Sequence, residues 1–147
     1  MGVLIGQNVP TPELAFPLGV ASHFMLDLIP HGDSQLYKNY KDGNSVRRSV
    51  IYAATDSIAA IGILIYLLET APYASRATIV AGVIGAIIPD FLVALGEGVP
   101  IRILRWFQRI HFRIHDAIAN RIGNIPLRAG VPLQIIILFF MLFLVKH

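Results

Sequence analysis

Cysteine is absent from all 147 residues. That excludes disulfides and thiolate-ligated metal, so any metal must be held by imidazole, carboxylate or water. Charge is scarce as well. Only 14% of the chain is Asp, Glu, Lys or Arg, against about 25% in an ordinary soluble domain. A soluble monomer of this size needs more surface charge than that. There is no G-x-S-x-G, no P-loop and no Gly-rich dinucleotide fingerprint, which removes the usual serine-nucleophile and nucleotide-cradling chemistries. The D-x2-D-G-x2-A-R pattern of membrane alcohol phosphotransferases is missing too. No internal repeat or low-complexity run stands out. The first charged side chain is Glu13, with no basic segment before it, so a cleaved secretory signal is not expected.

What fills the chain instead is hydrocarbon. Hydrophobic residues make up 55%, and the mean hydropathy is +0.65. Four apolar stretches lie near 10–29, 50–68, 77–95 and 131–145. A membrane-crossing helix needs about 20 such residues, which the middle two supply. The first qualifies if the prolines around Thr11 are absorbed, and the last is short. The expected fold is an all-α integral membrane bundle of three or four spans, forming one domain over 1–147.

Six of the twelve basic residues are arginines between Arg102 and Arg128. Basic residues there alternate with Trp106, Phe107 and isoleucines. That mixture points to a membrane-surface helix near 101–122 and a lipid partner rather than to nucleic acid. At 100° per residue, Arg102, Arg105, Arg109 and Arg113 share one face, while Leu104, Phe107, His111 and His115 share the opposite one. The long connectors are both basic and the short one, Glu69 to Arg76, is nearly neutral. Basic connectors stay inside, so the expected location is a bacterial-type inner membrane with the long connectors facing the cytoplasm.

Against this background the carboxylates are anomalous. Asp27, Asp56 and Asp90 sit in three different apolar segments, where a charge costs a few kcal/mol unless partnered. His23 and Asp27 are four residues apart and so share a helix face, as do His111 and His115. His31 and Asp33 follow the turn at Pro30. In the expected topology these groups lie within about 10 Å of one membrane depth, at 1.5 Å per residue. Convergent imidazoles and carboxylates make a metal site. For each residue alone, a helix-end polar group or an interhelical hydrogen bond is the simpler alternative. Ala53, Ser57 and Ala60 around Asp56 would let a neighbouring helix approach. Pro89 would free a carbonyl one turn back and bend its helix beside Asp90.

The stretch Ser22 to Asp33, S-H-F-M-L-D-L-I-P-H-G-D, resembles a motif of small bacterial integral-membrane proteins classed as membrane-bound metal-dependent hydrolases. Gly85-Ala-Ile-Ile-Pro-Asp90 looks like their G-x-x-x-P-D segment, and His111-Phe-Arg-Ile-His115 looks like a following histidine pair. The resemblance implies a metal site at His23, Asp27, His31, Asp90, His111 and His115. The H-x3-D step is also similar to one in zinc-dependent phospholipase C and related nucleases, which cut phosphoesters. Asp33 and Asp56, added from their positions, are the catalytic candidates, with Asp56 either bridging metals or acting as general base. The expectation is a metal-dependent hydrolase of a lipid-linked or small phosphoester, with zinc preferred over manganese or iron. The alternative is a non-enzymatic metal- or proton-binding protein, either a carrier or a structural module.

Overall fold

The computed structural model describes residues 1–29, 42–43, 46–70, 75–99, 101–122 and 125–146. Among them are six helices and no strand: α1 (Gly2–Asn8), α2 (Pro12–Leu26), α3 (Val46–Thr70), α4 (Arg76–Gly98), α5 (Arg102–Ile122) and α6 (Leu127–Lys146). Three stretches are long and apolar enough to cross a membrane: Val50–Thr70, Arg76–Gly98 and Arg128–Val145, of 21, 23 and 18 residues. Their outer faces carry bare hydrocarbon, including Ile58 at 72%, Phe139 at 67% and Ile136 at 66% exposure. This is a helical membrane protein, with apolar side chains turned towards lipid.

The first expected span, near 10–29, is the 15-residue α2, which is not among those three, and α1 precedes it, set off by Val9–Thr11. Val9 and Thr11 are both extended, at φ −114, ψ 146 and φ −136, ψ 150. Each precedes a proline, whose ring disfavours helical backbone in the residue before it. Pro12 then opens α2 at a position that needs no N–H. Glu13 stands in the first turn, and hydrogen bonds from its own N–H and from Thr11 hold its carboxyl below its usual value.

Glycine lets this pair seat on α4. A Cβ on Gly2 or Gly6 would run into the backbone of Gly82 or Ile79, and one on Gly19 or Gly85 into Gly82 or Phe16. Backbones can approach that closely only where side chains are missing. The order of these contacts shows the direction of travel. α1 runs antiparallel to α4, and α2 then turns and runs parallel to it.

A small core closes one end of the bundle. Val3, Leu67, Ile79 and Val145 are buried together, joining α1, α3, α4 and α6. Gln7 Nε2 donates to the Val145 carbonyl at 3.0 Å, satisfying an acceptor in the last turn of α6. Ser75 caps α4, accepting from the Thr78 N–H at 3.4 Å. At the other end, α5 doubles back along α4. Gln108 Nε2 donates to the Val93 carbonyl at 2.9 Å and to Glu97 Oε1 at 3.2 Å. Gly96 admits the Gln108 side chain, which lies where its Cβ would be. Leu104 and His111 are buried on this face, while Arg102, Arg105, Arg109 and Arg113 are exposed.

Candidate metal centre

The site forms where α2, α4 and α5 meet. His23 lies in the last turn of α2 and is 8% exposed, and His111 on α5 is 6% exposed. Asp27 follows one turn after His23, at the C-cap of α2. Asp90 comes from α4, directly after the buried Pro89. His23 Nε2 stands 3.4 Å from Asp27 Oδ2 and 3.6 Å from Asp90 Oδ1, and His111 Nε2 is 3.8 Å from the same Asp90 oxygen. One donor atom each from His23, Asp27 and His111 can be chosen so that all lie within 4.8 Å of one another.

The imidazole of His23 is oriented from behind. Its Nδ1 lies 3.1 Å from the carbonyl oxygen of Ala86. A carbonyl can only accept, so Nδ1 carries the hydrogen and, in the neutral ring, Nε2 carries the lone pair. That Nε2 is buried and makes no hydrogen bond. It faces two carboxylate oxygens, which are also acceptors. Lone pairs turned on one another in a buried pocket repel unless a cation or proton lies between them. Four donors around an ion at about 2.0–2.1 Å stand about 3.4 Å apart in a tetrahedron, which is the scale of the spacings seen here. A ligating imidazole whose other nitrogen donates to a backbone carbonyl is the usual arrangement at protein metal sites.

Local sequence accounts for each placement. Four-residue spacing puts His23 and Asp27 on one helix face. Gly19, one turn before His23, allows α2 to touch α4 closely enough for the ring to reach Ala86. Pro89 withholds the N–H that the Gly85 carbonyl would otherwise accept and loosens α4 around the turn containing Ala86. Aromatic rings pack the pocket: Phe24 lies 5.7 Å and His23 5.5 Å from His111, centroid to centroid.

Four of the expected ligands thus come together: His23, Asp27, Asp90 and His111. They are not equally enclosed. The Asp27 side chain is 18% exposed and that of Asp90 71%, so Asp90 marks the open flank. His31 and Asp33 lie outside the described residues, as does the side chain of His115. Asp56 is elsewhere, on the wall of a cleft between α3 and α6 that also includes Ala86 and Ile87. Three contributors carried no chemical signal in the sequence: the Ala86 carbonyl, the Phe24 ring and the Gln108 amide. Gly96, two residues before the end of α4, is the position whose missing side chain could have pointed to a close neighbour such as Gln108. No family model matches this chain, and neither a curated protein nor a solved structure is significantly similar to it.

Proposed function

We propose that this protein is a membrane-bound metal-dependent hydrolase acting on a phosphoester, with a lipid-borne substrate preferred and zinc the first choice of ion. The observation that carries the reading is the buried His23 Nε2, its lone pair set by the Ala86 carbonyl and aimed at Asp27 and Asp90. His23, Asp27 and His111 would hold the ion, and Asp90 would complete the set from the open side. A divalent ion held there lowers the pKa of a bound water towards neutrality and polarises a phosphoryl oxygen.

The protein's own groups supply the rest. The Ala86 carbonyl keeps the His23 ring in one tautomer. Phe24 packs on His111, and the His23 and His111 rings are both buried, which strengthens their interactions with the carboxylates. Asp90, exposed at its carboxylate, would connect the ligand set to solvent. The basic helix α5 turns arginines outward, where they would attract anionic lipid headgroups. The resemblance of the His23–Asp33 motif to metal-dependent hydrolases of bacterial membranes agrees with this reading. The basic connectors support a position for the centre near the cytoplasmic face of an inner membrane.

Elemental analysis of the purified full chain, beside His23→Ala and Asp27→Ala, is the test. Near-stoichiometric metal in the native chain, and about one-tenth or less in both variants, is the expected result. Equal metal content in all three proteins removes the reading. A screen of phosphatidic acid and p-nitrophenyl phosphate, with and without chelator, then addresses catalysis. Bound metal with no hydrolysis of any phosphoester would favour the carrier instead.

A further inference from the structure

Helix α5 meets the metal centre with one face and leaves another bare. It holds five arginines and a single acid, Asp116. Arg102, Arg105, Arg109 and Arg113 follow one another at one-turn spacing, and all four are exposed. None of them pairs with a carboxylate among the described residues, and no acid stands in the first turn. Like charges at that spacing oppose one another, and Arg102 and Arg105 also sit at the positive end of the helix dipole. Such a row calls for anions from outside the chain. Beside it, at about 100° per residue, come Trp106, Ile103 and Ile114, all exposed, and beyond them the buried His111 and Leu104. The anion that fits this helix carries hydrocarbon with it.

Both ends of α5 adjoin one end of the bundle. Ile79 of α4 and Val145 of α6 pack together at the far end. Gly98 lies nineteen residues after Ile79, and Leu127 eighteen before Val145, so the last turn of α4 and the first turn of α6 are level. α5 is the link between them. A spanning helix would hold its ends about 30 Å apart across the hydrocarbon core. α5 keeps instead to one membrane face, where anionic headgroups set a negative potential. We infer that α5 is a docking surface for anionic phospholipid headgroups, and that their binding seats His111 in the metal centre. The second part rests on the metal-centre reading and adds its regulation. α5 is held to α4 by Gln108, which donates to the Val93 carbonyl and to Glu97, and by the buried Leu104 and His111. Headgroups that neutralise the outer row relieve the repulsion opposing the helix. A fully formed, seated α5 is what sets His111 Nε2 3.8 Å from Asp90. Free phosphate would neutralise the row as well, but it would leave Trp106, Ile103 and Ile114 in water.

Trp106 is the chain's single tryptophan, so its fluorescence reports on α5 alone. The full chain is placed in nanodiscs of equal parts phosphatidylcholine and phosphatidylglycerol, with bromine on the chains of one lipid or the other. Brominated phosphatidylglycerol should quench Trp106 more strongly. The preference should vanish when Arg102→Gln, Arg105→Gln, Arg109→Gln and Arg113→Gln are combined. It should persist when Arg102→Lys, Arg105→Lys, Arg109→Lys and Arg113→Lys are combined, since the charge is kept. Equal quenching by the two lipids in the native chain overturns the docking surface. Zinc affinity, measured by competition with a chelator, should be about tenfold higher in the mixed discs than in phosphatidylcholine alone. The native and Lys-substituted chains should show that difference and the Gln-substituted chain should not. A difference that survives the Gln substitutions comes from the surface potential drawing in cations and overturns the regulation, as does equal zinc affinity in both discs. Zinc bound in no preparation removes the metal centre and its regulation together, while the quenching still decides the docking surface.

Discussion

At the scale of single residues, the centre depends on which nitrogen of His23 bears the hydrogen. The Ala86 carbonyl at 3.1 Å decides it, and a neighbour that can only accept leaves no second choice. Conservative changes should therefore separate. His23→Gln offers an amide in place of an imidazole and should cost metal affinity at least as much as the 10–100-fold typical of losing a supporting hydrogen bond. Phe24→Leu keeps the pocket apolar and removes only ring packing, so it should retain most of the metal. Titrating both variants with a competing chelator measures the difference. Equal affinities would mean that His23 is a packing residue.

At the scale of elements, the site depends on how closely α2 lies on α4. Gly19 and Gly85 face each other without side chains, and a Cβ on Gly85 would meet the Phe16 carbonyl. Gly85→Leu must push the helices apart, with overpacking of about 1–3 kcal/mol and His23 drawn away from Ala86. Thermal unfolding in detergent and metal content should fall together. Gly96→Leu displaces Gln108 instead and should loosen α5 while leaving α2 in place, so metal should be weakened rather than lost. Pro89→Ala restores an N–H to α4 and should straighten it, shifting Ala86 and lowering metal affinity without unfolding the chain.

At the scale of the whole molecule, arginine is distributed unevenly between the two ends of the bundle. Arg47, Arg48, Arg102 and Arg128 start helices at one end, and Arg76 starts α4 at the other. In the orientation proposed above, the positive-inside rule would put the first group in the cytoplasm. Because the native chain has no cysteine, single cysteines report without background. Asp42→Cys and Arg102→Cys should react with an impermeant thiol reagent from one side of the membrane and Ser75→Cys from the other. The molecule should also be linked to its ion. Metal that binds only the folded state adds about 2.7 kcal/mol at a hundredfold excess over Kd. Chelation should lower Tm by several degrees in the native chain and leave it unchanged in Asp27→Ala.

The primary structure alone determined the helical class, the three long apolar rods, the split of α5 into arginine and histidine faces, and the pairing of His23 with Asp27. These follow from composition and from a fixed rise and turn per residue, which are local properties. Tertiary structure decided the rest. It set the short α1 ahead of the first expected span and laid both α1 and α2 on α4. It brought Asp90 and His111 to His23 and left Asp56 in a different cleft. Membrane depth can be counted along a sequence, and it put all these groups at one level. Rotation about the helix axes, and the choice of which helices touch, depend on where glycines let backbones meet, and only the packed bundle sets that.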